Sequence, residues 1–304
     1  MSGPRLRSQV VAEILPGVYH VKQDLAPLFP GTWAAINVVV GQHVAIVDTG
    51  LPGGDTLVWP VLEALGRQPT DVVAIINTHF HGDHTGSNGA LRSRSGARIM
   101  IHALDAPRLG SGELEGPTAG PADVELADGA RIDLGDRELQ IVHLPGHTPG
   151  SIGIYMPDVQ ALFTGDSLQA RGTAVQYIAS YADPDAYTAS VRRALDMPIE
   201  HLVPGHAFAP FEDSHVHGAD VRRFLDISLA HALEMDALIM QVMRTAGAPL
   251  DAASVAAGAC AHFGFNRTSP MAIGTVEAHL RRLLATGQVA STRAETDHLR
   301  FAPA

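Results

Sequence analysis

Residues 71–86 read DVVAIINTHFHGDHTG. A short apolar run rich in Val and Ile, of the length and composition of a buried strand, ends at Thr78 and gives way at once to a polar loop. That loop carries His79, His81, Asp83 and His84 around a single glycine, Gly82. One histidine alone is usually structural, but three imidazoles and a carboxylate at one strand end form a donor set. Imidazole with carboxylate favours borderline divalent ions, zinc first, with iron and manganese compatible. The neighbouring donors cannot all face one ion without distortion, so two ions sharing the loop are expected.

Upstream, VVAEILPGVYHVK, WAAINVVVG and QHVAIVDTG predict consecutive strands with turns at PG and VGQH, and GGDTLVWPVLEALG predicts a helix over 53–66 that Pro60 starts or kinks. Downstream, NGALRSRSG suits a short helix and ARIMIHA a strand. Residues 104–123 then form a Gly/Pro-rich loop, and turns at DG and GD mark a second strand-rich half. A helix is predicted from Pro184 and Asp185 through YTASVRRALDM. Three further strands of this half end as the first motif does: His147 in HLPGHTPG, Asp166 in ALFTGDS and His206 in HLVPGH. Glycine beside each donor lets the backbone turn tightly and come close to an ion. An α/β order of this kind gathers ligands beyond the strand ends.

From Phe211 onward the spacing turns helical, and strand signals fade until QVASTR near the end. Residues 1–215 are therefore expected to form one domain and 216–304 a small, mainly helical one. TVEAHLRRLLATG could be the recognition helix of a helix-turn-helix, but packing or homodimer formation is the expectation for so acidic a chain. Asp and Glu outnumber Lys and Arg by 32 to 21, for a net charge of -11. Non-specific binding of polyanions, which rests on neutralising phosphates, is thus disfavoured. The single cysteine, Cys260, rules out an intrachain disulfide and a Cys-rich metal centre, whereas 16 histidines are available. No stretch approaches the ~20 apolar residues of a membrane helix, and MSGPRLRSQVVAEIL does not read as a signal peptide, so a cytoplasmic location is expected.

The order IVDTG, THFHGDHTG, LPGHTPGS, FTGDS, VPGH closely resembles that of the metallo-β-lactamase superfamily, over about residues 10–210. The resemblance implies an αββα sandwich of two mixed sheets with helices outside. It implies that His79, His81 and His147 ligate one metal, that Asp83, His84 and His206 ligate a second, and that Asp166 bridges them. Asp48 of IVDTG matches an acid that orients ligands without binding metal. Less specifically, the C-terminal stretch ending in GTVEAHLRRLLATGQV resembles the winged-helix-like extension of the β-lactamase-like protein 2 and hydroxyacylglutathione hydrolase-like branch.

What this implies is a dinuclear hydrolase in which a metal-bridging hydroxide attacks a small thioester, ester or lactone. Asp83 and Asp166 would also orient that hydroxide. The alternatives are a phosphodiesterase or ribonuclease using the same metals, with Arg92, Arg94, Arg98, Arg222, Arg223, Arg281 and Arg282 lining a phosphate path, then β-lactam hydrolysis, and a non-catalytic metal-binding regulator. His102 and His143, on predicted strands, read as structural. The pair His215 and His217 lies in a helical or pre-helical stretch without a strand-end glycine, and no second zinc centre is expected there. Phe80, Tyr177, Tyr181 and Phe208 read as core, and the 104–123 loop with SLQARGTAVQYIASY as the source of specificity.

Overall fold

A computed structural model describes residues 11–26, 30–109, 120–173, 178–293 and 299–304. Tyr177 and much of the 104–123 loop lie outside these residues. The first sheet has seven strands in chain order: β1 (Val11–Leu15), β2 (Val18–Asp24), β3 (Trp33–Val40), β4 (Val44–Val47), β5 (Val72–Ile76), β6 (Arg98–His102) and β7 (Val124–Leu126). Its first four strands pair antiparallel, as short connections require, and β4 to β7 pair parallel. Two helices provide crossovers: α1 (Asp55–Ala64), with Pro60 inside it, and α3 (Asn88–Ser95), which follows the one-turn α2 (Gly82–Thr85).

The second sheet runs β13 (Val216–His217), β12 (His201–Pro204), β11 (Ala161–Gly165), β10 (Ile152–Met156), β9 (Glu138–His143) and β8 (Arg131–Asp133). Only β11 and β12 pair parallel, joined by α4 (Pro184–Leu195). Pro184 starts that helix as predicted, and the Asp183 carboxylate accepts from the amides of Asp185 and Ala186, both at 3.0 Å.

Strand alternation explains the layers. In β4, Ala45 and Val47 point into the cluster between the sheets, with Ile141, Ile154 and Phe163 of the second sheet, while Val44 and Ile46 pack outward on α1 and α3. On the far side, Leu162 and Leu202 meet Tyr187 and Val191 of α4 and Val221 and Phe224 of α5 (Ala219–Ala246). The result is a mixed sandwich with helices on both outer faces.

Helix α5 is 28 residues long. Its first half belongs to the outer layer of the sandwich. Met235, Ile239 and Met243 from its second half form a separate core with α6 (Ala252–His262), α7 (Pro270–Ala285) and a hairpin of β14 (Val289–Arg293) and β15 (Leu299–Pro303). The C-terminal region is thus mainly helical. The buried face of α7 carries Thr275, Val276, His279 and Leu283, and Arg282 pairs with Asp185 at 2.7 Å and Asp236 at 2.6 Å. Among the described residues no helix is long and apolar enough to cross a membrane.

One local expectation is corrected. Val216–His217 is not helical: it lies directly before α5 as an edge strand antiparallel to β12, and Gly218, at φ 60°, turns the chain between the two.

Candidate metal centre

The candidate residues lie on strand ends and the loops and short helix that follow them. Asp48 comes directly after β4, His79 lies just beyond β5, Asp166 follows β11, and His206 lies two residues past the end of β12. His147 sits on the loop between β9 and β10, and α2 carries Asp83 and His84. Asp48 has φ 57°, a left-handed backbone that carboxamide and carboxylate residues tolerate better than most. This turn aims its side chain at the next strand end, where Oδ1 accepts from the Thr78 amide and Oδ2 from the Thr78 hydroxyl and from His84 Nδ1, each at 2.8 Å.

All seven expected ligand residues come together. His79 Nε2, His81 Nδ1 and His147 Nε2 stand 3.0–3.2 Å apart in every pairing. In a second group, Asp83 Oδ2 lies 3.2 Å from His206 Nε2 and 3.8 Å from His84 Nε2. Asp166 spans the two: Oδ1 is 3.4 Å from His206 Nε2 and 3.6 Å from His84 Nε2, and Oδ2 is 3.8 Å from His147 Nε2. His79/His81/His147, His79/His84/Asp166 and Asp83/His84/His206 each satisfy the geometry for holding an ion. His84 Nε2 and Asp166 Oδ1 are buried without a hydrogen-bond partner. Such orphaned groups are costly unless a cation meets them, so the donor set fits a pair of divalent ions.

The far nitrogens of these rings are committed elsewhere, which fixes the lone pairs that face inward. His147 Nδ1 donates to the Ser180 carbonyl and His206 Nδ1 to the Trp33 carbonyl, both at 2.6 Å. His79 Nδ1 faces the Thr78 hydroxyl at 3.1 Å, and that hydroxyl itself donates to Asp48.

The electrostatics divide the same way. Burial, reinforced by the neighbouring imidazoles, holds His79 well below the usual histidine range, and burial with His147 pulls His81 down to about 3. Burial also opposes charge on His84, but Asp83, Asp48 and Asp166 outweigh it and raise that ring to about 9. His206 is likewise raised against its burial by Asp166 and Asp83. Both carboxylates are held below their ordinary range despite burial, Asp83 by His84 and His206, and Asp166 by His206 and His84. Burial thus keeps His79 and His81 neutral, whereas in the second group the carboxylates of Asp83 and Asp166 are balanced by the raised imidazoles of His84 and His206.

Several supporting residues left no mark in the sequence. The Ser180 amide donates to Gln169 Oε1 at 2.9 Å, and its carbonyl also accepts from Gln169 Nε2 at 3.1 Å. Asp105 takes the Thr148 hydroxyl at 2.6 Å and the Gly150 amide at 2.7 Å, clamping the loop that bears His147. His102 and His143 stack on each other, 4.2 Å between centroids, and neither belongs to the metal-competent groups. Phe80, Tyr181 and Phe208 are buried.

The family model for the metallo-beta-lactamase superfamily matches residues 30–206. The chain belongs to that superfamily. A hydroxyacylglutathione hydrolase of Cereibacter sphaeroides is 35% identical over 151 residues, 49% of this chain and 54% of that protein. Another hydroxyacylglutathione hydrolase, from Rhodospirillum rubrum, is 31% identical over 195 residues, 64% of this chain and 68% of that protein. The first match spans about half the length of its relative. The fold is shared with a metallo-beta-lactamase family protein of Thermus thermophilus, with TM-score 0.72 and 22% identity over 95% of this chain and 99% of the other. It is shared too with a beta-lactamase domain protein of Burkholderia ambifaria, with TM-score 0.76 and 18% identity over 97% and 93% of the two chains. The C-terminal helices are therefore part of a shared architecture. The candidate His/Asp clusters all lie within the residues matched by the family model.

Proposed function

We propose that the protein hydrolyses a small thioester, ester or lactone at a dinuclear centre, with zinc as the ion that the imidazole-rich donor set favours. His79, His81 and His147 would hold one ion, Asp83, His84 and His206 the other, and Asp166 both. The observation that carries this reading is the placement of Asp166, whose two oxygens face different groups. Bound there, two divalent cations supply an acidified water and a positive charge for the carbonyl oxygen of the substrate. Asp83 and Asp166 would orient that water, while Asp48 keeps His84 turned inward through its 2.8 Å hydrogen bond.

A cavity of about 430 Å³ is lined by Thr32, Trp33, Ala207, Ala209, Pro210, Phe211 and Glu212, Ala207 being the residue next to His206 and Trp33 the one whose carbonyl His206 bonds. Its largely apolar lining suits an acyl group. The arginines considered for a phosphate path are mostly engaged: Arg92 with Asp123, Arg222 with Asp226, Arg223 with Asp220 and Arg282 with Asp185 and Asp236. That supports an acyl substrate over a phosphodiester. We take the enzyme to work in the cytoplasm, in keeping with its unpaired, buried Cys260.

The test is a panel of thioesters, lactones, esters, β-lactams and single-stranded RNA, run on protein stripped of metal and reloaded with zinc. Turnover of an acyl substrate, absent after stripping, restored by zinc and lost in His81→Ala and Asp166→Ala, is the expected outcome. Cleavage of RNA with every acyl substrate left intact would overturn it.

A further inference from the structure

Three histidines outside the centre meet at the other end of β12. His201 opens that strand and stands directly opposite His217 of β13 in the antiparallel register. His215 precedes His217 by two residues, and at the pleat of a strand positions two apart share a face. Directly opposed residues bring their Cβ atoms within about 5 Å, close enough for imidazoles to share a ligand. The three rings gather there, His201 and His215 5.3 Å apart between centroids, His215 and His217 5.3 Å, and His201 and His217 6.2 Å, with the nitrogens of His201 and His215 alone already at ligand spacing.

His201 Nδ1 lies 3.1 Å from His215 Nε2, the same spacing as the nitrogens of His79, His81 and His147. Two nitrogens held at about 2.0–2.1 Å by one tetrahedral ion stand about 3.3 Å apart. His217 is exposed, so its ring can swing toward the other two about its own side-chain bonds without displacing core. His20, the next ring along, is already bonded to Asn37 and Ser214 and takes no part.

We propose that His201, His215 and His217 form a separate mononuclear site for a borderline divalent ion of the zinc and nickel class. Burial and the neighbouring rings lower His215 to about 4, and burial with His217 also lowers His201, so neither ring holds an extra proton at neutral pH and a cation can replace the single proton shared between them. Five residues of extended chain, roughly 16 Å, separate His201 from His206, so this ion is not shared with the catalytic pair. It would tie β12 to β13, the edge strand that Gly218 joins to α5, and so fasten the helix that carries the C-terminal region.

Equilibrium dialysis of full-length, tag-free protein against zinc alone, with bound metal counted, tests this independently of the hydrolytic reading. The wild-type chain should bind one equivalent more at low micromolar free zinc than either His217→Ala, at an exposed position outside the core, or His215→Gln. A His147→Asn variant, weakened in the other centre, should keep that equivalent. Identical stoichiometry in wild type, His217→Ala and His215→Gln, or an extra equivalent that fills only at millimolar zinc, would overturn it.

Discussion

The Nδ1 of His147 donates to the Ser180 carbonyl over 2.6 Å, and the peptide on either side of Ser180 is held by the C-terminal region. The Thr275 hydroxyl, on α7, donates to the Ala179 carbonyl and accepts from the Tyr181 amide, both at 3.1 Å. Below it, His279 Nε2 meets the Tyr181 hydroxyl at 2.9 Å. The helical region is thus wired to a candidate metal ligand through one backbone segment. Replacing Thr275 by Val keeps the shape but leaves a buried carbonyl and amide unpaired, at a cost of about 1–3 kcal/mol. Zinc affinity should fall by about 10–100-fold, as when an outer hydrogen bond to a ligating histidine is lost. Thr275→Ser should restore most of both. Zinc competition with a chromogenic chelator, alongside denaturant melts, checks this, and a Thr275→Val protein that binds zinc like wild type would sever the proposed link.

Asp48 predicts a split between two substitutions. Its carboxylate accepts three hydrogen bonds from Thr78 and His84, and its backbone has φ 57°. Asn tolerates that backbone but turns an N–H toward one of those donors, so Asp48→Asn should lower turnover by about 10–100-fold with limited loss of stability. Asp48→Ala removes the same acceptors and adds roughly 1–2 kcal/mol of left-handed strain. Equal melting temperatures for the two variants would show that the strain is not felt.

The motif residues were legible because each works locally: a strand ends and donors follow at His79, and a glycine turns the chain just before His147, Asp166 and His206. The strand-rich halves were legible from alternation, seen in Val44 to Val47, whose side chains divide between two cores. Thr275 and Ser180 were not, because they act through main-chain groups across 94 to 96 positions of sequence, where side-chain type carries no signal. Nor was β13. A two-residue edge strand has no period to detect, and only its pairing with β12 reveals that His215 and His217 stand beside His201.

Gly150 and Asp105 form a second support that composition hides. A Cβ on Gly150 would come within 2.6 Å of the Asp105 carboxylate and 2.7 Å of its backbone nitrogen. Gly150→Ala should therefore push apart the clamp on the His147 loop and cost about 1–3 kcal/mol, as overpacking does. Zinc content should drop with it. Asp105→Asn, which keeps the space but loses an acceptor for the Thr148 hydroxyl or the Gly150 amide, should be milder in stability. Melting temperature and bound zinc, measured on both variants, test the order.

His231, on α5, gives the pH dependence a definite sign. Its Nε2 accepts from the Ala179 amide at 3.3 Å, its Nδ1 is buried without a partner, and burial, aided by Arg171 and His279, lowers the ring to about 3. The folded protein thus keeps His231 neutral down to that pH, while the unfolded chain protonates it near the ordinary value of about 6.5. Between these values the unfolded state binds more protons, so stability is fully present above pH ~6.5 and falls as pH drops toward ~3, by up to about 4 kcal/mol from this group alone. His231→Gln retains an acceptor for the Ala179 amide but cannot titrate, so its stability should fall less steeply with acid. Urea unfolding of both proteins at several pH values between about 7.5 and 4.5, in chelator so that metal loss does not contribute, reads the difference directly. Parallel pH slopes would mean that the folded protein takes up the proton at Nε2, which the Ala179 amide now faces, so that amide would have to move away by rearrangement of α5 against the Ala179 segment.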